Sequence, residues 1–309
     1  MELRSSIFGE DWWLDAAAPG DVEHVAVVRD GVTQGVLHFH RRRRFGLTYL
    51  TMPPLTRTMS PFLAPLGDRP VSRALNALSV VGELMDKLPP HDRFETTLDP
   101  GCPSLQGFVH NGCAVTHTFT YRGKTGLTPE ALLEDAHRKT RNVIAKARRN
   151  YEATWSGDIE RFIRLHALEF GAVNQIDYAT LGRIFSAARD RGRADIVFIA
   201  AEGLKDVAAA ILVWDATHAY YWLTARDPAS GANDANSLAI IESVGHARAG
   251  GRAFDLDGYA TPATSVFLMK FGLTPVVRPF VNRSNGRWKM LNALSRMRGG
   301  DRVDLHSRV

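Results

Sequence analysis

The stretch Gly251–Arg283, GRAFDLDGYATPATSVFLMKFGLTPVVRPFVNR, constrains the fold of this chain more than any other. Its pattern predicts a strand over Arg252–Leu256, a turn at Asp257-Gly258, a short helix near Pro262–Phe271 and a return strand over Thr274–Val281. Gly258 tolerates a positive φ, Pro262 suits a first helical turn, and Gly272 stands where a left-handed helix stop is expected. Such a unit places Asp255, Asp257 and Tyr259 at the carboxyl end of a strand, where open α/β sheets keep their ligands. The turn is therefore the first place to look for chemistry.

With 309 residues, 45% of them hydrophobic, the chain is long enough for one large or two ordinary domains with a full core. Its net charge of +5 suits an anionic partner, such as a nucleotide-linked substrate, although many soluble enzymes are as basic. Two cysteines, Cys102 and Cys113, provide neither a metal quartet nor a disulfide framework, so a reducing, cytoplasmic compartment is expected. The start, MELRSSIFGEDWW, lacks the build of a signal peptide. No apolar run approaches the roughly 20 residues of a membrane span.

In the first half, Ser6 to Leu14 reads as a capped amphipathic helix with Trp12 and Trp13 toward the core. Val22–Arg29 and Gly35–His40 alternate as strands around Asp30-Gly31, a good hairpin signal. The run Arg41–Arg44 makes a strong positive field, open to a phosphate or nucleic-acid reading or to that of a solvated strand end. Leu50–Arg57, with Pro53-Pro54, is stiff and reads either as a groove lining or as an edge connection. A helix is expected over Val71–Leu88, then strands Arg93–Leu98 and Val115–Tyr121 flanking a loop that holds both cysteines. His110 and His117 have no carboxylate paired to them in sequence and read as surface or packing residues.

In the second half, Thr128-Pro129 opens a helix that is expected to run on through Asn150, acidic at its start and basic after Arg138, in accord with the helix dipole. A helix from Asp158, another ending at Gly192, and a three-stranded antiparallel meander, Ala194–Ala201, Val207–Asp215 and His218–Ala225, follow. Tyr221 faces away from Tyr220 and Trp222 along the last strand. A loop, DPASGANDAN, then leads into a helix capped by Asn236 or Ser237.

Four segments together resemble the Fem family of bacterial acyl and aminoacyl transferases. They are Phe254-Asp255-Leu256-Asp257-Gly258 with Phe271-Gly272, the PPLT segment from Pro53, the K-x-R-x-x-I-x-K-A phrase Lys139–Ala147, and the loop and helix Thr224–Ala249. The resemblance implies an α/β (α+β) chain of two tandem GNAT-like domains, each a mixed twisted sheet flanked by helices. Their expected bounds are 1–125 and 126–300, the second beginning with the basic helix, with 301–309 as a tail.

The resemblance further implies transfer of an acyl group from an acyl-CoA-type thioester to an amine on a small molecule or peptide. Acyl-CoA would be a co-substrate, with no tightly bound cofactor, no metal, no DNA partner and no membrane span. Asp255 and Asp257 are the proton-accepting candidates and Tyr259 a hydrogen-bond donor; two aspartates two apart on a strand cannot both face one site unless the turn bends them. Tyr221, Trp222 and Thr224 are expected along the substrate wall, and Arg226, Ser230 and Gly231 in a loop that in acetyl-CoA-using relatives cradles a pyrophosphate at a helix N-terminus. Here the spacing differs from the usual [RQ]-x-x-G-x-[GA].

An aminoacyl-tRNA-dependent transferase of the Fem type is the alternative, favoured by the basic helix. Members using tRNA often carry a Phe-Lys pair where this chain has Phe267-Leu268. Lys270, the remaining substrate-binding candidate, stands two residues later, about 200° round the helix. A catalytically silent GNAT-like binding module is the third reading.

Overall fold

The computed structural model describes residues 6–64, 67–171, 174–201, 203, 205–232, 234–257 and 262–297, without the side chains of Pro262 and residues 295–297. In chain order the elements are α1 (Asp11–Ala17), β1 (Val22–Arg29), β2 (Val32–Arg44), β3 (Leu47–Thr51), β4 (Phe62–Leu63), α2 (Pro70–Asp86), β5 (Arg93–Thr97), α3 (Leu105–His110) and β6 (Ala114–Gly123). They continue as α4 (Pro129–Asp135), α5 (Arg138–Asn150), β7 (Glu152–Ser156), α6 (Ile159–Phe170), α7 (Tyr178–Asp190), β8 (Ala194–Ala200), β9 (Asp206–Trp214) and β10 (His218–Arg226). The last are α8 (Ala235–Ala249), β11 (Ala253–Asp255), α9 (Pro262–Met269), β12 (Thr274–Ser284) and α10 (Gly286–Met297).

The chain divides into two compact units. One comprises residues 1–118 together with 277–309, the other residues 119–276. The expected bounds at 125 and 300 differ from this because β12 does not stay with the residues before it: Phe280–Ser284 pair antiparallel with Arg93–Thr97 of β5. The later unit is thus continuous in sequence and the earlier one is not.

In the first unit the strand order is β1-β2-β3-β5-β12, with β4 on β2. All these pairings are antiparallel except β3 with β5. The β1–β2 turn is Asp30-Gly31, both residues at positive φ (51° and 76°), the primed turn that an Asp-Gly pair predicts. Val27, Leu37, Phe39, Leu50, Phe94 and Val281 form one buried face, covered by Val80, Val81 and Leu84 of α2 and Phe108 of α3. The cysteine-bearing loop contains α3, a helix the sequence reading did not assign, and both thiols are free. The Pro53-Pro54 segment is largely buried: Trp13 Nε1 donates to Thr56 Oγ1 at 3.2 Å, so Trp13 docks on it, whereas Trp12, expected toward the core, is half-buried and donates to Glu10 at 2.7 Å.

In the second unit the order is β6-β11-β10-β9-β8-β7. The expected meander of β8, β9 and β10 is antiparallel, whereas β10 and β11 run parallel. Alternation assigns the faces. Val197, Ile199, Ala208, Ala210, Leu212 and Tyr221 pack with Ile144 and Ala147 of α5 and Leu238, Ile241 and Val244 of α8. On α6, the Arg161 guanidinium lies over the Phe198 ring, 4.0 Å from its centroid.

The helix expected to run from Thr128 through Asn150 is two helices. Ala136 and His137 take extended backbone (ψ 149° and 140°), and the His137 side chain caps α5 by accepting from the Lys139 N–H at 3.2 Å. Two contacts impose the break. The His137 N–H is spent on the Lys270 carbonyl at 2.9 Å, and Gly272, at φ 78°, lies so close to Asp135 that a Cβ there would meet its backbone at 2.9 Å. The α8 cap also differs: Asp234, rather than Asn236 or Ser237, occupies the position before the helix.

Candidate active site

β10 and β11 pair only from His218 to Tyr220, opposite Ala253 to Asp255. Beyond Tyr220, β10 continues to Arg226, and its register with β9 shifts between Tyr221 and Leu223. A bulge bends and twists the strand that carries it. Two parallel strands that are joined for three residues and then part leave a wedge at their carboxyl ends, where ligands of open sheets bind. The turn after β11 and the loop leading into α8 both follow these strand ends.

The two aspartates of the turn occupy different environments. Asp255 has no exposed surface; its carboxylate accepts from the Thr120 hydroxyl, from Arg122 Nε at 2.6 Å and from the Asp257 N–H at 2.7 Å. Asp257 is half-buried and left-handed, at φ 57°, a conformation asparagine and aspartate tolerate best among residues other than glycine. The left-handed residue bends the turn, so the two carboxylates lie in different surroundings. Gly258 and Tyr259 lie outside the described residues.

The remaining expected residues divide into buried and exposed. Tyr221 and Trp222 are buried, and the Tyr221 hydroxyl donates to Asn236 Oδ1 at 2.6 Å, with burial pushing the phenol well above its ordinary pKa. Thr224 is half-buried on β10. Arg226 is exposed and turns back to Glu169, with Nε at 2.8 Å and its N–H at 3.0 Å from the carboxylate; burial nevertheless raises the Glu169 pKa.

Ser230 and Gly231 build the loop from within. The Ser230 hydroxyl donates to the Asp227 carbonyl at 2.7 Å and accepts from the Ala232 N–H at 3.2 Å, and Gly231 is left-handed at φ 66°. Lys270 is exposed at the far end of α9. The α8 N-terminus carries a carboxylate of its own, because Asp234 accepts from the Tyr151 hydroxyl at 2.8 Å and lies 3.4 Å from Lys146 Nζ.

Thr120, Arg122 and Glu169 were not singled out from the sequence, and Asn236 was read only as a helix cap. Polar residues at every second position of β6, Thr118, Thr120 and Arg122, were the available signal for two of them. Among the described residues, no group of three or more His, Cys, Asp or Glu side chains could hold a metal ion. The first unit has a cavity of about 760 Å³ between α1 and the outer face of β1–β2, lined by Trp12, Asp15, His24 and His38 among others; none of the catalytic or substrate-binding candidates from the sequence lines it.

Residues 138–262 match the acetyltransferase (GNAT) domain family. Thus the wedge, the turn and the loop into α8 belong to a GNAT domain. The chain as a whole is similar in fold to FemX and to a tandem GNAT protein. A crystal structure of FemX superposes with a TM-score of 0.67 at 14% identity, covering 96% of this chain and 95% of that one. A tandem GNAT protein from the clavulanic acid biosynthesis pathway gives 0.52 at 12% identity, covering 91% and 97%. L-PGS from Bacillus licheniformis gives 0.56 at 11%, covering 93% and 90%. At these identities the likeness is one of fold. No curated protein matches the chain in sequence. Among the described residues no helix is long and apolar enough to cross a membrane.

Proposed function

We propose that the chain is an N-acyltransferase that moves an acyl group from an acyl-CoA-type thioester to an amine on a small molecule or peptide. The observation that carries this reading is the parting of β10 from β11 at Tyr220 and Asp255 within a GNAT domain, with Asp257 in the turn just beyond. The amine nitrogen attacks the thioester carbonyl, the C–N bond forms, and the carbonyl electron pair moves onto oxygen. Collapse of that intermediate breaks the C–S bond, and the thiolate leaves with the proton the amine gives up. Asp257, directly or through an ordered water, accepts the amine proton and passes it to the departing thiolate, and Tyr259 is the proposed hydrogen-bond donor. Asp255 is a positioning residue: with three donors on a sealed carboxylate, it fixes the turn.

A second reading, aminoacyl transfer from tRNA, is favoured by two specific observations. Asp234 already places negative charge at the α8 N-terminus, where a pyrophosphate would need the positive end of the helix. Alongside it, α5 exposes Arg138, Lys139, Arg141, Lys146, Arg148 and Arg149 and carries no acidic residue. Thermal unfolding with acetyl-CoA, longer acyl-CoAs and bulk aminoacyl-tRNA separates the donors. Stabilisation by CoA thioesters alone supports the first reading; stabilisation by tRNA alone overturns it in favour of the second. Ligand affinity unchanged in Asp257→Asn, with no turnover of any donor, would instead mark a silent binding module.

A further inference from the structure

β2 and β3 are joined by the two-residue turn Phe45-Gly46, with Arg44 paired to Leu47 across it. Both turn residues have positive φ, 51° and 70°, as a primed hairpin turn requires. At the equivalent position of the β1–β2 turn the chain uses Asp30, which tolerates that conformation. Phenylalanine tolerates it poorly, since its Cβ crowds the backbone there. The ring is not compensated by burial, for Phe45 is 75% exposed. The sequence thus holds a large apolar side chain in water, in a strained backbone, at the tip of a hairpin. Strain that local packing does not explain points to function.

The surroundings of that tip are cationic. Arg42, Arg43 and Arg44 are exposed, and alternation along β2 puts Arg42 and Arg44 on one face and Arg43 on the other. The Arg44 guanidinium stands 4.9 Å from the Phe45 ring centroid. Helix α10 adds to the same surface: Arg287 Nη2 donates to the Gly46 carbonyl at 3.4 Å, and Trp288 packs on Leu47 and Tyr49. On the side of α10 turned away from Trp288, Met290 and Leu294, about 200° and 240° round from it, are 60% and 46% exposed, with Leu291 beside them. No acidic residue occurs in Arg41–Gly46 or in α10.

We propose that the β2–β3 tip and the outer face of α10 form a docking surface for an anionic phospholipid membrane. Phe45, Met290, Leu291 and Leu294 enter the interfacial layer, while the arginines and Lys289 meet the headgroups. The charge arrangement selects this occupant. Cations on both faces of a hairpin form a collar around its apolar tip, which is complementary to a planar charged layer entered end-on; a nucleic-acid strand would engage one face. An amphipathic helix with apolar residues on one side and arginine and lysine beside them binds such interfaces by the same two forces.

Vesicle flotation of the full chain tests the proposal, with phosphatidylcholine alone and with phosphatidylcholine containing about a third phosphatidylglycerol, at about 0.1 M and about 0.5 M salt. Expected is binding to the phosphatidylglycerol vesicles that weakens at the higher salt. Phe45→Asn keeps the turn conformation while removing the ring, and a thermal melt at or above that of the wild type verifies its fold. Its partitioning falls about tenfold, as does that of Leu294→Glu. The proposal is overturned by equal binding to both vesicle types, by wild-type partitioning of both variants, or by Phe45-dependent binding of bulk tRNA without vesicle binding. None of these outcomes depends on acyl transfer.

Discussion

Asp255→Ala removes a carboxylate with no exposed surface and leaves the Thr120 hydroxyl, the Arg122 guanidinium and the Asp257 N–H without that acceptor. Removing one partner of a buried ion pair costs about 3–5 kcal/mol. The Arg122 side chain is 19% exposed, so water reaches part of its guanidinium and the lower end, about 3 kcal/mol, is expected. For a unit of the size of residues 119–276 that corresponds to a melting point lower by about 6–12 °C, measured by calorimetry. Arg122→Ala in addition should cost less than its separate effect, because the two groups share one interaction. Asp257→Asn, in contrast, keeps a residue that accepts the left-handed turn; its melt should stay within about 0.5 kcal/mol of the wild type while acyl transfer falls. A melt unchanged in Asp255→Ala, with turnover lost, would refute the division of labour and make Asp255 the group that meets substrate.

Further outcomes follow from burial. His38, His40, His91, His166 and His246 all have pKa values lowered from 6.5, with burial the largest cause in each. The unfolded chain therefore takes up protons near pH 6.5 that the folded chain refuses, so stability present above that pH is lost as pH falls through the lowered values. A melting point that is flat or rising between about pH 7 and pH 5 would contradict this. Burial pushes the Cys102 and Cys113 thiols up to about 11, so thiol reagents at pH 8 should label the native chain far more slowly than the urea-unfolded one. Phe45→Asn relieves a strained turn and should raise stability by about 1 kcal/mol in urea unfolding. Gly272→Ala combines a positive φ with a Cβ 2.9 Å from the Asp135 backbone, and should lower the melting point by several degrees.

Much of the second unit was legible because its elements follow local rules. The meander has strict strand patterning and short turns, and β10, β11 and β12 start within two residues of their expected positions. What escaped was set by contacts distant in sequence. Nothing local breaks the helix at Ala136 and His137; the break is imposed by Lys270 and Gly272, more than a hundred residues on. The acidic turn was the candidate centre of the site from the sequence, yet the burial of Asp255 depends on Thr120 and Arg122, which only strand pairing brings beside it. The run Arg41–Arg44 was visible as charge, whereas the strain at Phe45 was not, because the turn's register decides which residue takes the positive φ.

The return of β12 to β5 has a bearing on how the molecule is made. Emerging from a ribosome, the first unit lacks β12 until residues 277–284 follow the whole of the second unit, so the continuous unit encoded later is the one able to complete itself first. A fragment ending near residue 125 would leave β5 as a raw sheet edge, a template for aggregation rather than a smaller soluble protein.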